Sequence, residues 1–423
     1  MLGAGMAGLA AARALQAVGQ QVSVLEAKHR LGGRTYTDHD FAGIPVEFGA
    51  EFIHGEHAAT WELVRELGLE TVHWNKLDDS LVRLEDGAWL RMREALAAYP
   101  DFAQTRAWNL PDVDALPNED WGSYLRRIGF DHQQLRYAER SFVNACGEAM
   151  RFLSAKAVLA GLRAEDEGGG DYRILGGYDA LVGALAEGLT VYGNDPVTDL
   201  FWADGVRALT LGGEVYEADA AIVTLPLGVL QADTIRFTPA LPEAKRSAFL
   251  GLRMGPVIKL VYSFDEAPVS PEIMVVYSRL NPPMWWSPSY GYDAEVHVWT
   301  AFATGDWAAE LLALGEEGAL VAGLESFKQE LGRPDLRVKA ARLINWPDDP
   351  YTRGGYSFVL PGHDGAREKL AAPTPPLFWA GEATAPEPRA ATVHGALLSG
   401  RRAALEILSH KAAQPAAIRS ETV

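Results

Sequence analysis

A glycine-rich turn at the start of the chain constrains its fold more than any other stretch. Residues 3–8 are GAGMAG, and residues 7–18 have the apolar spacing of a helix. Residues 22–25 (VSVL) then indicate a short buried strand, and Glu26 stands at its end. Glycines, helix, strand and acid occur in the order and at the spacing of a dinucleotide-binding βαβ unit, so the first 26 residues predict one.

Each glycine of the turn has its own physical task. Gly3 permits a tight turn, Gly5 lets the backbone come close to a pyrophosphate, and Gly8 lets the helix pack against the sheet. The amides and positive dipole end of that helix would face the phosphates. Glu26 would accept hydrogen bonds from ribose hydroxyls, which favours an unphosphorylated adenosine ribose. A glycine-rich helix start without a ligand is the alternative, and the agreement of all four signals disfavours it.

A second glycine pair, followed by an arginine, separates flavin from nicotinamide cofactors. Residues 31–34 (LGGR) follow the ribose acid closely, and Arg34 could fork onto a pyrophosphate. The runs GAGMAGLAAARAL (3–15) and LEAKHRLGGRTYT (25–37) resemble the flavin-dependent amine oxidase family, which binds FAD. That family has an apolar strand before the glycines, whereas this chain supplies only residues 1–2, which a start site assigned too late would explain.

The length and charge of the chain bound its function. Its 423 residues suffice for two domains with sizeable cores. Because the formal charge is −18, nucleic acid is not expected as a partner, and the acidic field would either draw in cationic substrates or only confer solubility.

Cys146 is the sole cysteine, which excludes an internal disulfide, and no metal site is expected. No apolar run is long enough to span a membrane, so we expect a cytoplasmic protein.

The resemblance implies an α/β fold: a Rossmann-like FAD-binding domain and a second, α+β substrate domain of mixed sheet and helices. The FAD-binding domain is expected to be discontinuous, over 1–74, 175–250 and 345–423. The substrate-binding domain would then take residues 75–174 and 251–344.

Local patterns sketch the expected substrate domain. The apolar spacing predicts helices most clearly over 94–99 and 122–145. Residues 275–307 are rich in tryptophan, tyrosine and proline, and they favour an antiparallel sheet whose rings are mostly core. An aromatic cage for an ammonium group is the alternative, and the pattern does not say whether Trp285 or Trp286 lines a channel.

A single lysine stands inside an apolar strand pattern. Residues 254–264 (MGPVIKLVYSF) contain Lys259, and lysine is seldom fully buried. Residue chemistry alone favours a lysine that reaches solvent at a strand edge over one that holds a water or accepts a proton. The resemblance reverses this preference, because a Gly-x-x-x-Lys segment of the family supplies the lysine that hydrogen-bonds through a water to flavin N5. Lys259 is therefore the first catalytic candidate.

Three further catalytic candidates come from the resemblance. His54 ends the segment 46–55, and its Ile-His-Gly ending is most like the polyamine oxidases, where this position lines the substrate tunnel. Residue chemistry alone leaves an ordinary loop histidine equally open. Tyr356 would form one wall of the substrate channel, and Thr392 stands where monoamine oxidases have a second tyrosine. Gly355 replaces the cysteine that links flavin in monoamine oxidases, so FAD is expected without a covalent link.

The resemblance also implies which residues contact FAD. Most lie in the glycine turn, near the second glycine pair, around residue 50 and toward the C-terminus. The expected contacts are Gly3, Ala4, Gly5, Met6, Ala7, Gly8, Glu26, Ala27, Lys28, Gly33, Arg34, Gly49, Ala50, Glu51, Phe52, Val197, Trp346, Gly381, Glu382, Thr392 and Val393.

The expected reaction is oxidation of the C–N bond of a primary or secondary amine, with a polyamine as the favoured substrate. Hydride transfer to the flavin would give an iminium, which water hydrolyses to an aldehyde and a smaller amine, while molecular oxygen is reduced to hydrogen peroxide. An L-amino acid oxidase is the first alternative, and Arg83, Arg151 or Arg253 would then clamp the substrate carboxylate. Flavin desaturases and porphyrinogen-type oxidases share the glycine turn but generally lack the lysine segment. An FAD-bearing interaction protein is the non-enzymatic alternative, favoured only by the shortened first strand.

Overall fold

A parallel sheet forms the centre of one half of the molecule. The computed structural model describes residues 1–99, 113, 116–163, 168–292 and 295–413. In order across the sheet, its members are Thr190–Tyr192, Ser23–Leu25, Leu2, Ala221–Val223 and Leu377–Trp379. Leu2 bridges Leu25 on one side and Val223 on the other, so the shortened first strand still occupies the centre of the sheet. The glycine turn follows Leu2 at the carboxyl end of the strands, where such sheets bind ligands.

Both faces of this sheet are covered at its centre, which is why Leu2, Ala221–Val223 and Leu377–Trp379 are apolar and buried. On one face, the helices Met6–Ala17 and Val393–Ala413 pack together against Ile222 and Phe378. The other face carries a four-stranded sheet whose side chains share a core with Leu2. Its strands, in order, are Val215–Ala218, Val206–Thr210, Val197–Phe201 and Arg236–Thr238.

A seven-stranded sheet dominates the other half of the molecule. Its strands, in order, are Val338–Asn345, Val257–Phe264, His297–Thr304, Met284–Trp286, Val275–Tyr277, Ser80–Arg83 and Trp89–Arg91. All neighbouring pairs are antiparallel except Val275–Tyr277 with Ser80–Arg83. The helices Gly305–Leu312 and Gly315–Leu331 cover one face, against Leu260 and Tyr262. Because side chains alternate along a strand, Lys259 points to the opposite face.

Shorter elements complete the description of these residues. The small sheets pair Thr37–Asp38 with Val46–Glu47, Leu252–Met254 with Ser357–Val359, and Asp171–Ile174 with both Phe52–His54 and Thr71–Trp74. The remaining α-helices are Trp61–Glu66, Met92–Ala98, Trp121–Arg127, His132–Ala138, Ala155–Arg163, Asp179–Ala186, Leu227–Gln231, Glu243–Leu250 and Ala366–Ala371. Short 3-10 helices occupy Met150–Phe152, Glu382–Thr384 and Glu387–Arg389, and a π-helical turn occupies Glu139–Val143.

The helix predicted over 122–145 is divided. Gly129 adopts a φ of +90°, which is not a helical conformation, so the first helix ends before it. Residues with side chains rarely take this conformation, which is why glycine stands there. The Asp131 carboxylate then accepts a hydrogen bond from the Gln134 amide at 2.8 Å and caps the next helix. The apolar periodicity of the sequence continues across this break, so the prediction of one continuous helix was wrong.

The predicted fold class is confirmed, with a Rossmann-like parallel sheet and a second region of helices and mixed sheet. The strands from 75–174 and 251–344 meet where Ser80–Arg83 pairs with Val275–Tyr277. Some small sheets cross the expected borders, since Asp171–Ile174 pairs with Phe52–His54. The exact domain boundaries therefore stay a prediction.

Candidate active site

A cavity of about 960 Å³ is lined from both halves of the molecule. The parallel sheet contributes Leu2 and Leu25, and the seven-stranded sheet contributes Lys259. Every predicted site residue other than Ala4 and Gly8 lines this cavity. The individual roles of the lining residues stay predictions.

Ala4 and Gly8 hold the glycine turn from behind. The Ala4 amide donates to Glu26 Oε2 at 2.7 Å. A Cβ on Gly8 would lie 2.0 Å from the carbonyl oxygen of Gly3, so the fold itself requires glycine at this position. Packing of the turn against its own helix and acid places these two residues outside the cavity, and their expected contacts with FAD stay a prediction.

Gly5 lines the cavity and faces open space. A Cβ built on Gly5 would meet nothing in the described chain nearer than the Gly32 carbonyl oxygen, at 3.9 Å. The chain itself therefore leaves room for a side chain there, whereas a pyrophosphate approaching the backbone would need that room. Met6 and Ala7 line the same wall, which brings the first amides of their helix beside it. These residues fit the phosphates of a dinucleotide.

Glu26 is buried at the cavity wall with both carboxylate oxygens engaged. Its Oε2 accepts from the Ala4 amide at 2.7 Å, and its Oε1 accepts from the Lys28 amide at 2.9 Å. Each oxygen keeps a lone pair that a ribose hydroxyl could use. Lys28 also lines the cavity, and its ammonium forms an ion pair with Asp349.

Arg34 and Glu382 form an ion pair that joins the start of the chain to its end. Arg34 Nη1 donates to Glu382 Oε1 at 2.9 Å and to the Gly355 carbonyl oxygen at 2.7 Å. Glu382 Oε2 accepts from the Ser357 hydroxyl at 2.7 Å. Burial alone would raise the pKa of Glu382, but the charges of Arg34 and Arg367 outweigh it and hold that pKa below its ordinary value. The pair is therefore charged and fixes the guanidinium at the cavity wall.

Lys259 is buried, with 4% of its surface exposed, and lines the cavity. Its Nζ donates to the Glu47 carbonyl oxygen at 2.8 Å and to Glu51 Oε2 at 3.1 Å. An ammonium has three N–H donors, so one remains for the cavity. The alternative of a lysine reaching solvent at a strand edge was wrong, because strand Val257–Phe264 is paired on both sides.

Glu51 connects Lys259 to the aromatic wall of the cavity. Its Oε2 also accepts from Trp286 Nε1 at 2.7 Å, and Arg173 Nε lies 3.7 Å from its Oε1. All four side chains are buried. Glu51 was expected as a cofactor contact, and its carboxylate additionally completes a buried ion pair that costs several kcal/mol to break from one side.

Glu47 gives the protein a pH-dependent stability. Burial raises the pKa of Glu47 from 4.5 to about 7, against the hydrogen bond from the Tyr178 amide, and the charge of Glu51 adds to the rise. The folded chain therefore binds this proton more tightly than the unfolded chain. The stabilisation from Glu47 is present below pH 4.5 and is lost as the pH rises to about 7. The loss amounts to no more than about 3 kcal/mol.

Glu47→Gln is expected to flatten this pH dependence, since glutamine has no proton to lose. Melting temperatures of both proteins, measured from pH 4.5 to 7, should show the wild type losing stability relative to the variant as the pH rises. Glu217→Gln, on the exposed strand Val215–Ala218, is the matched control and should follow the wild type. Parallel curves for wild type and Glu47→Gln would contradict the role of this carboxyl.

Aromatic and apolar side chains line the end of the cavity beside Lys259. They are Phe52, Trp74, Met92, Leu96, Tyr277, Met284, Trp286 and Phe302. Met284 and Trp286 face the cavity, while Trp285 between them stacks on Phe327 in the core, with ring centroids 4.0 Å apart. Successive side chains of a strand lie on opposite faces of the sheet. This alternation is the sequence signal that would have placed Trp286 and Trp285 on different faces.

His54, Lys76 and Asp171 form a charged group at the cavity, here called the mouth cluster. His54 Nδ1 lies 2.5 Å from Asp171 Oδ1, and Lys76 Nζ pairs with the other oxygen of that carboxylate. Asp171 is buried, whereas more than half of each of the other two side chains is exposed. Burial alone would raise the pKa of Asp171, but His54 and Lys76 outweigh it and hold that pKa well below its ordinary value. Strand pairing sets His54 opposite Asp171, a register that local sequence does not reveal.

Tyr356 and Thr392 line the cavity but are held in different ways. The Tyr356 hydroxyl donates to the Ala145 carbonyl oxygen at 2.6 Å, and burial raises its pKa well above the ordinary value. The cavity therefore meets a neutral phenol ring. Thr392 Oγ1 donates to the Arg389 carbonyl oxygen at 2.7 Å and accepts from the Gly395 amide at 2.9 Å, so its hydroxyl caps the final helix.

Backbone contacts brace the remaining predicted residues. The Ala50 amide donates to the Arg34 carbonyl oxygen at 2.9 Å, which fastens the segment around residue 50 to the second glycine pair. Trp346 is buried, and its Nε1 donates to the Phe48 carbonyl oxygen at 3.2 Å. Val197 lines the cavity at the start of strand Val197–Phe201.

The described part of the chain has neither a metal site nor a membrane-spanning helix. No group of three or more His, Cys, Asp or Glu side chains is arranged there to hold a metal ion. None of the described helices is both long enough and apolar enough to cross a membrane.

The parallel sheet, its glycine turn and a cavity shared with a second sheet define a dinucleotide-binding protein. The chain belongs to the family described as flavin containing amine oxidoreductase, which matches residues 6–408. Membership confirms the resemblance, the enzyme class and the flavin cofactor. The glycine turn and Glu26 fit the dinucleotide form of flavin, FAD.

Similar proteins include amine oxidases and demethylases. The chain is 30% identical over 442 residues to "Polyamine oxidase 4" of Oryza sativa subsp. japonica, covering 96% of this chain and 87% of that protein. It is 32% identical over 437 residues to "Lysine-specific histone demethylase 1 homolog 2" of the same plant, covering 96% of this chain and 56% of that protein. A structure of wild-type putrescine oxidase bound to putrescine matches with a TM-score of 0.82 at 22% identity, over 96% of this chain and 98% of that one. The structural match supports the fold.

Proposed function

We propose that this chain oxidises the C–N bond of a primary or secondary amine, with FAD as hydride acceptor and molecular oxygen as the final oxidant. One observation carries the proposal: the glycine turn, the buried Lys259 and an aromatic end share a single cavity. The relatives named polyamine oxidases support amines as the substrate class, and they make polyamines the first substrates to test.

The proposed mechanism assigns separate tasks to the chain and to the cofactor. Gly5, Glu26 and Arg34 would hold FAD, which would supply a hydride acceptor for the carbon next to the amine nitrogen and a route for the electrons to oxygen, with hydrogen peroxide as the product. The neutral ring of Tyr356 and the wall beside Thr392 would confine the amine, and the apolar lining excludes water until the hydride has left. The nitrogen must arrive unprotonated, because its lone pair drives hydride loss. Water then hydrolyses the iminium to an aldehyde and a smaller amine, or to an aldehyde and ammonia when the substrate is a primary amine.

Lys259 would act as a hydrogen-bond donor in this mechanism. Its Nζ donates to the Glu47 carbonyl oxygen and to the Glu51 carboxylate. The remaining N–H would hold a water, either for oxygen chemistry or for hydrolysis of the iminium. These contacts make a donor a better assignment than a proton acceptor.

The L-amino acid oxidase alternative loses support. Of the three arginines considered for a carboxylate clamp, none lines the cavity among the described residues. Arg83 lies 3.6 Å from Glu330, Arg151 pairs with Asp306 at 2.5 Å, and the Arg253 guanidinium lies 5.0 Å from the Phe152 ring centroid.

Anaerobic absorbance of the purified protein tests the proposed function. Spermine, spermidine, acetylated polyamines, benzylamine and several L-amino acids are titrated in turn, and amines are expected to bleach the bound flavin because they reduce it. Bleaching by amino acids alone would favour the carboxylate-clamping alternative. Flavin that no amine bleaches would overturn the proposal in favour of a desaturase.

A further inference from the structure

The carboxylates that line the cavity are all engaged by groups of the chain itself. Among the described residues they are Glu26, Glu51, Asp171 and Glu382. Glu26 accepts two backbone amides, and Glu382 pairs with Arg34. Glu51 pairs with Lys259, and Asp171 pairs with two mouth-cluster side chains. An incoming second ammonium would therefore meet no carboxylate without a partner.

The lining of the aromatic end of the cavity offers no net negative charge. Two carboxylates line it, Glu51 and Asp171, against two lysines, Lys76 and Lys259, while Arg173 lies behind Glu51 and outside the lining. These charges balance within the cavity wall. The negative charge of the whole chain draws cations toward the surface, but this balanced lining gives a second cation no net attraction inside.

Two aromatic faces that could otherwise attract an ammonium are already occupied. Lys259 Nζ lies 5.1 Å from the Trp286 ring centroid, and Lys76 Nζ lies 5.2 Å from that of Trp74. Tryptophan gives the strongest cation–π attraction among the aromatic side chains. These contacts leave the apolar surface of the cavity to an uncharged substituent.

We propose that the site selects amines with a single ionisable nitrogen and an uncharged remainder, and discriminates against free polyamines. This inference rests on the proposed amine oxidation and narrows its substrate class. The reacting nitrogen can enter neutral, but a distal ammonium stays protonated near neutral pH and must lose its hydration without finding a counter-charge.

Matched amines of equal chain length test this selection. Hexylamine, 1,6-diaminohexane and N-acetyl-1,6-diaminohexane are mixed anaerobically with the holoenzyme at one pH, and the dissociation constant is taken from the saturation of flavin reduction. The diamine is expected to bind about tenfold more weakly than the other two. Equal or tighter binding of the diamine would overturn the selection while leaving amine oxidation intact. If none of the three amines reduces the flavin, the proposed function fails, and this inference fails with it.

Lys76→Met removes one positive charge from the mouth cluster and keeps a long, unbranched side chain at that position. Lys76 is more than half exposed, so its loss should be tolerated, and it frees one oxygen of Asp171 for a substrate ammonium. The ratio of the two dissociation constants, diamine over hexylamine, is expected to fall about tenfold. Lys339→Met, on the edge strand Val338–Asn345, is the control and should keep the wild-type ratio. An unchanged ratio in Lys76→Met would overturn the assignment of the selection to this charge.

Discussion

A protein in which methionine replaces Lys259 is expected to keep FAD and to turn over amines about a hundredfold more slowly. FAD should remain because the glycine turn and the Arg34–Glu382 pair are untouched. Turnover should slow because the variant lacks the N–H group of Lys259 that is left for the cavity by the contacts with Glu47 and Glu51. Steady-state oxygen consumption measures the rate, and visible absorbance measures flavin content. Unchanged kinetics would remove Lys259 from the mechanism.

The same substitution should also destabilise the fold, and a second variant separates the two effects. Lys259→Met leaves Glu51 buried without its cation partner at hydrogen-bonding distance, which costs about 3–5 kcal/mol. Adding Glu51→Gln removes the uncompensated charge, and glutamine can still accept from Trp286 Nε1. The double variant is expected to recover most of the melting temperature and none of the rate. Recovery of both would mean that Lys259 acts only through stability.

Gly5→Ala is expected to fold normally and to weaken FAD binding about a hundredfold. Its Cβ would meet only space that the chain leaves open, and Ala satisfies the backbone φ of −76° at this helix N-cap. The added methyl group would therefore clash with the pyrophosphate and with nothing else. Fluorescence titration of the apoprotein with FAD measures the loss.

Gly8→Ala is the matched contrast to Gly5→Ala. Its Cβ would lie 2.0 Å from the Gly3 carbonyl oxygen, so the turn or the helix must shift. The melting temperature of the apoprotein should fall for Gly8→Ala and stay unchanged for Gly5→Ala. FAD binding of wild-type strength in Gly5→Ala would show that no phosphate approaches the backbone there.

Local sequence was enough to bring the glycine turn and Glu26 to one cavity wall, because these signals are close together in the chain. Gly3, Gly5 and Glu26 belong to one βαβ unit, and their spacing reflects a single backbone geometry. Lys259 was also singled out correctly as a buried cavity residue, since a lone charge in an apolar strand is rare. Its role in turnover stays a prediction.

Pairing across distant segments accounts for what the sequence did not reveal. The mouth cluster joins residues from three segments, and a strand register that no local pattern encodes sets His54 opposite Asp171. The Glu51–Lys259 pair likewise joins residues 208 positions apart. Thr392 was expected beside the substrate; it lines the cavity, and its hydroxyl also caps the final helix, as threonine directly before a helix typically does.

The ion pair between Arg34 and Glu382 has a consequence for biosynthesis. The two residues are 348 positions apart, so at about 5–20 residues per second the ribosome adds the acid roughly 20–70 s after the arginine. Throughout that interval the emerging glycine turn lacks the partner that orients its arginine, and it also lacks the helix Val393–Ala413 that packs against its own. The ion pair that fixes Arg34 at the cavity wall can therefore form only after Glu382 has been synthesised.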